Sequence, residues 1–154
     1  MDEKIVVPLD GSKVGEAALP YVKDIVSKLS PEVKTEIVLL QVLAPMSIPT
    51  VSGRTPGETP YTEQQLEETE KKAMEYLNQT AGTLRSKGVT VTAKVAVGDA
   101  SEHIGKVAEE IDANLIAMST HGRSGLSRWA FGSVTDRVLR REGKIPVAMI
   151  RAPR

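Results

Sequence analysis

The sequence predicts a single-domain, doubly wound α/β fold: an open sheet of five parallel strands in the order 3-2-1-4-5, with helices on both faces. Three observations lead there. Short apolar runs alternate strictly with segments of helical periodicity, the rhythm of strand–helix–strand units that pair in parallel. Several runs, such as Ile37-Val38-Leu39-Leu40, are continuously apolar, as strands covered on both faces are. The 154 residues hold no repeat, low-complexity tract or linker, so one domain is expected. A chain of this size buries about 68–70% of its unfolded surface and needs no metal or disulfide staple.

Ile5-Val6-Val7-Pro8-Leu9 is the first strand, closed by Asp10-Gly11-Ser12. From Val14 to Leu29 the apolar residues fall three and four apart, so a helix follows, with Pro20 placed to bend its first turns. Ile37 to Leu43 is the second strand. Ala44 to Pro60 carries Pro45, Pro49, Gly53, Pro56, Gly57 and Pro60, and reads as a long functional or mobile loop that closes over a ligand. Thr62-Glu63-Gln64-Gln65 then fits a capping box. The helix behind it has a stripe of Leu66, Ala73, Met74, Leu77, Ala81 and Leu84, with Lys87-Gly88 as its expected end.

Val89 to Val97 alternates apolar with polar or small residues and predicts a third strand with one drier face, at or near the sheet edge. Ser101 is the expected cap of a helix reaching about Asp112. Leu115-Ile116-Ala117-Met118 is the fourth strand and runs into Ser119-Thr120-His121-Gly122-Arg123-Ser124-Gly125. A helix carrying Val134, Val138 and Leu139 follows Gly132-Ser133. Pro146 to Ile150 makes the fifth strand. In the 3-2-1-4-5 order that strand is an exposed apolar edge, which self-pairing into a homodimer would cover.

Composition narrows the function. Twenty Lys and Arg balance twenty Asp and Glu, against the basic excess of a nucleic-acid or membrane-surface binder. One Phe, one Trp and three Tyr leave no stacking platform for single-stranded nucleic acid. No leader or spanning segment is apparent, and zero Cys fits a reducing compartment, so a cytoplasmic protein is expected. The absence of Cys also removes thiol catalysis and Cys-based zinc sites.

Ligands of doubly wound sheets bind beyond the carboxyl ends of the strands where the order reverses, here after strands 1 and 4. The segment after strand 4 has the composition for an anion: glycines that let amides approach closely, hydroxyls, and His121, Arg123 and Arg128. A surface loop with a capped helix behind it is the plainer reading, and position at the switch point favours the site. Neither G-x-G-x-x-G nor G-x-x-x-x-G-K-[ST] occurs, which excludes an ordinary dehydrogenase and a Walker-type NTPase.

Val6-Val7-Pro8-Leu9-Asp10-Gly11-Ser12, with Met118-Ser119-Thr120-His121-Gly122, nine residues, then Gly132-Ser133, resembles the universal stress protein family. So does the terminal Ile145-Pro146-Val147-Ala148-Met149-Ile150. The similarity runs along essentially the whole chain. It matches three of the four fixed positions in that family's ATP-binding signature, G-x2-G-x9-G-[ST]. The resemblance implies ATP, with Mg²⁺ on its phosphates, and a homodimer through the C-terminal strand. Asp10 would hold the ribose, Pro8 would lie against the nucleoside, and the Val42 backbone would meet adenine. Ser119, Thr120, His121, Gly122, Arg123, Ser124 and Gly125 would line the ribose and phosphates. Gly132, Ser133, Val134 and Thr135 would cradle the phosphates at a helix N-terminus.

Ser119 is the departure, standing where the signature has its first glycine. A serine Cβ crowds the ribose, yet its hydroxyl is able to hydrogen-bond the sugar instead. No paired catalytic carboxylates are evident, and His121 and His103 have no metal-site spacing. Trp129 and Phe131 read as packing residues. Three function classes follow. They are a nucleotide-dependent stress-response module without fast turnover, a slow ATP hydrolase or nucleotidyl-transfer enzyme, and a ligand-free interaction protein with a vestigial loop.

Overall fold

The computed structural model describes residues 2–43, 46–48, 57–59, 62–120, 133–141 and 143–153. β1 is Asp2–Pro8, and a 3-10 turn at Gly15–Ala17 leads into α1, Ala18–Ser27. β2, Lys34–Leu43, is followed by the short strands β3, Met46–Ile48, and β4, Gly57–Thr59. Then come α2, Glu63–Leu84; β5, Val89–Val97; and α3, Ala100–Glu110. β6, Leu115–Thr120; α4, Ser133–Arg140; and β7, Val147–Arg151, complete the order.

The main sheet runs β5-β2-β1-β6-β7, with every neighbouring pair parallel. Numbered by main-sheet strands alone, this is the expected 3-2-1-4-5. Alternation along each strand divides the core in two. Ile5, Val7, Ile37, Leu39 and Ala117 face Val22 of α1 and Leu77 and Ala81 of α2. Val6, Val38, Leu40, Ile116 and Met118 face Ile104, Val107 and Ala108 of α3 and Val138 of α4. β5 is an edge, and only Val91 along it is fully buried, as its alternation predicts.

Local structure departs from expectation in four places. Val14–Leu29 opens as a 3-10 turn, so Pro20 falls in the first turn of α1, where its missing N–H costs nothing. The Ala44–Pro60 segment contains a two-stranded antiparallel ribbon, Met46–Ile48 with Gly57–Thr59. The rest of that segment, on which its closing role depends, lies outside the described residues. Thr62 caps α2 through the expected box with Gln65, but the helix ends at Leu84 rather than Gly88. Arg85 turns extended, and Gly88, at φ +82°, completes the turn into β5. Ser101 is not the cap of α3; the Asp99 carboxylate is, accepting the Glu102 N–H at 3.0 Å. On α4 the buried residues are Thr135 and Val138, while Val134 and Leu139 are exposed.

Candidate functional site

Because all main-sheet strands run the same way, the carboxyl ends of β1 and β6, neighbours in the sheet, lie together at one end of the domain. A cavity of about 260 Å³ lies there. Its floor is apolar: Pro8, Leu40, Val42 and Met118 from the strands, with Ala100 and Ile104 from the start of α3. Asp10, Gly15 and Ser119 stand on one rim, and Ser133, Val134 and Thr135, the first residues of α4, stand on the other. An apolar slot with a few polar groups at its edge is the usual build of a small-molecule site.

Asp10 is exposed and its Oδ1 is occupied: it accepts the Ser12 N–H at 2.9 Å and the Ser12 hydroxyl at 2.5 Å. The Ser12 Oγ in turn accepts the Gly15 N–H at 3.0 Å. A Cβ on Gly15 would lie 2.7 Å from Asp10 Oδ1, so a side chain there would push the carboxylate out of its present position. Ser119 closes the other side. Its hydroxyl donates to the Gly15 carbonyl at 2.7 Å and accepts the Ala18 N–H at 2.8 Å. A hydroxyl carries one proton. That of Ser119 is committed to the Gly15 carbonyl, so it does not donate to a sugar as the sequence allowed.

Two helix N-termini face the cavity with different electrostatics. That of α3 already has an anion: Asp99 caps it and also accepts the Ser101 hydroxyl at 2.6 Å. Hydrogen bonds from Ser101 and the Glu102 amide, with Arg137 nearby, hold the Asp99 carboxyl below the usual range. Arg137 of α4 meets Asp99 at 3.3 Å and links the two helices. Behind Asp10, the Tyr76 phenol of α2 donates to Glu16 at 3.1 Å. Burial and that bond to a carboxylate push the phenol up to about 12.

Seven of the residues named from sequence, Pro8, Asp10, Val42, Ser119, Ser133, Val134 and Thr135, line this one cavity. Thr120 is buried at the end of β6, its carbonyl accepting the Ala152 N–H, and it does not line the cavity. His121, Gly122, Arg123, Ser124, Gly125 and Gly132 lie outside the described residues. Sequence reasoning missed Gly15, Leu40, Ala100, Ile104 and Met118. The α3 pair was within reach: Gly98-Asp99 ends the third strand on the same side of the sheet. Among the described residues, no cluster of three or more His, Asp or Glu could hold a metal ion, and no helix is long and apolar enough to cross a membrane.

The model of the universal stress protein family matches residues 1–151. The chain belongs to that family. Universal stress protein MJ0577 of Methanocaldococcus jannaschii is 28% identical over 160 residues, spanning 98% of this chain and 96% of the relative. The solved structure of MJ0577 aligns at 26% identity with a TM-score of 0.62, covering 99% of this chain and 97% of that one. A universal stress protein from Archaeoglobus fulgidus, solved with dAMP, shares the fold at 20% identity. Its TM-score is 0.62, with 96% of this chain and 97% of that chain covered. Another, solved with cAMP, aligns at 18% identity with a TM-score of 0.61, over 97% and 96% of the two chains.

Proposed function

We propose that this universal stress protein binds an adenine nucleotide, ATP with Mg²⁺, in the carboxyl-end cavity and acts as a nucleotide-dependent stress-response module without fast turnover. The observation that carries the reading is the convergence of Pro8, Asp10, Val42, Ser119 and Ser133–Thr135 on one slot at the switch point. That two proteins of the same fold were solved with dAMP and cAMP supports an adenine nucleotide as the ligand class.

Each part of the cavity has a task. Pro8, Leu40, Ile104 and Met118 offer apolar surface to the nucleoside, and Val42, one residue before the end of β2, is where the backbone would reach an adenine edge. Asp10, with Oδ1 spent on Ser12, offers Oδ2 to a ribose hydroxyl. The Ser133, Val134 and Thr135 amides, at the positive end of α4, suit phosphate oxygens. His121 through Gly125 and Gly132 would complete the phosphate wall. Mg²⁺ takes most of its ligands from phosphates and water, so a site without a carboxylate cage is compatible with it. Micromolar affinity, on the order of 7–8 kcal/mol, is expected.

The half-buried strand β7 ends the sheet, and its open edge is where a second copy would pair in a homodimer. A cytoplasmic setting belongs to the same reading and agrees with the lack of Cys. Mass spectrometry of nucleotide released from the denatured, freshly purified protein tests ligand identity, with ATP, ADP or AMP expected. Absence of nucleotide, together with no calorimetric ATP binding, would favour a ligand-free interaction protein. Phosphate release at multiple turnovers per minute would favour the hydrolase. Sedimentation at micromolar concentration should give a dimer.

A further inference from the structure

We infer that Ser119 is a positioning residue: through Gly15 and Ser12 it holds the Asp10 carboxylate in the orientation that selects a ribose. This rests on the nucleotide reading above and goes beyond it by naming what sets the selectivity. A continuous relay joins the end of β6 to the turn after β1. The Ser119 hydroxyl bonds the Gly15 carbonyl at 2.7 Å, the Gly15 N–H bonds the Ser12 hydroxyl at 3.0 Å, and that hydroxyl bonds Asp10 Oδ1 at 2.5 Å. The Ala18 N–H, donating to Ser119 at 2.8 Å, ties the start of α1 to the same oxygen.

Sheet geometry explains why Ser119 can do this. Ala117, two residues earlier, points to the α1 layer, and strand side chains alternate, so Ser119 points there as well. Met118 points to the opposite layer and the cavity floor. The hydroxyl therefore works behind the site, on the turn that carries Asp10, and gives its proton to no ligand. A glycine at 119 would leave the Gly15 carbonyl and the Ala18 N–H without this partner. A Cβ at Gly15 would displace the carboxylate from the front.

The test measures ATP and 2′,3′-dideoxyATP affinities by calorimetry for the parent, Ser119→Ala and Ser12→Ala. Amide exchange at Ser12, Gly15 and Ala18 is followed without nucleotide. Loss of the Asp10–ribose contact that the relay positions, a hydrogen bond to a charged group, should weaken ATP about tenfold in each variant. Dideoxy affinity should stay unchanged, so that ribose discrimination collapses. Exchange at Gly15 and Ala18 should quicken in Ser119→Ala. Equal weakening of both nucleotides would show a merely structural role and overturn the inference, as would unchanged ATP affinity in both variants. Ser12→Ala, altered only in the exposed turn, carries the binding test should Ser119→Ala fold poorly. If the parent binds no ATP, the nucleotide reading falls, and with it ribose selection. The exchange data would then separately read the relay, and unchanged rates at Gly15 and Ala18 in Ser119→Ala would refute it.

Discussion

At the carboxyl ends of β1, β2 and β6 lies the cavity of about 260 Å³, while at the amino ends of β2 and β5 a larger groove of about 410 Å³ runs beneath α1 and α2. The larger one is lined by the last turns of those helices and the connections leaving them, including Ser27, Leu29, Leu84 and Gly88. In a parallel sheet every strand leads to a helix N-terminus at one end and receives a helix C-terminus at the other. The amino end therefore gathers carbonyls and the negative ends of helix dipoles, and Lys23, Arg85 and Lys87 lie along it as their complement. The carboxyl end gathers amides and positive dipole ends around an apolar floor, which suits an anionic nucleotide. Backbone polarity, rather than volume, distinguishes the site.

That contrast is broken first by separating stability from binding. Leu77, fully buried beneath α2 in the layer opposite α3 and α4, should cost about 2–5 kcal/mol of stability when cut to Ala, read by urea denaturation. Nucleotide affinity of the folded variant should hold; a parallel loss would mean that the layers are coupled. Asp10→Ala should do the reverse. Removing a charged acceptor weakens nucleotide by about 1.5–3 kcal/mol, or roughly 10–150-fold, with little change in midpoint.

Tyr76, in the α2 layer, makes stability depend on alkaline pH. Its folded pKa, near 12, lies above the ordinary value of 10.0, so the folded state holds the proton more tightly. Its contribution is fully present below pH 10 and is lost as pH rises through 12. Denaturation midpoints should fall less steeply over that window in Tyr76→Phe than in the parent; identical slopes would remove Tyr76 as the cause. The smallest effect belongs to the amino-end groove. Arg85→Ala and Lys87→Ala should change nucleotide affinity by less than about 0.5 kcal/mol, because exposed groups away from a site contribute little.

How much of this was legible in the sequence follows from the range of each interaction. The order of strands and helices along the chain was legible because apolar runs and helical spacing are local signals, and the doubly wound pattern then supplied their order in the sheet. The start of β1 was not: Asp2–Lys4 is polar, and it is drawn into the sheet by pairing with Lys34–Glu36 and by Asn114 accepting the Lys4 N–H at 2.7 Å. Ser101 and Asp99 are both able to cap, and only the φ of −75° and ψ of 123° at Asp99 select it. At the site, the switch-point rule located Asp10 and Ser133. The duty of the Ser119 hydroxyl was hidden because its partners lie 104 and 101 residues away in sequence.

Titrating the protein with ATP and Mg²⁺ while following backbone amide resonances reads both ends of the sheet in one measurement. Saturable shifts are expected at Asp10, Val42, Ser119 and Ser133–Thr135, with Val33, Arg85 and Lys87–Val89 at the amino end undisturbed. Shifts centred on the amino-end groove, or none at either end at millimolar ATP, would contradict it.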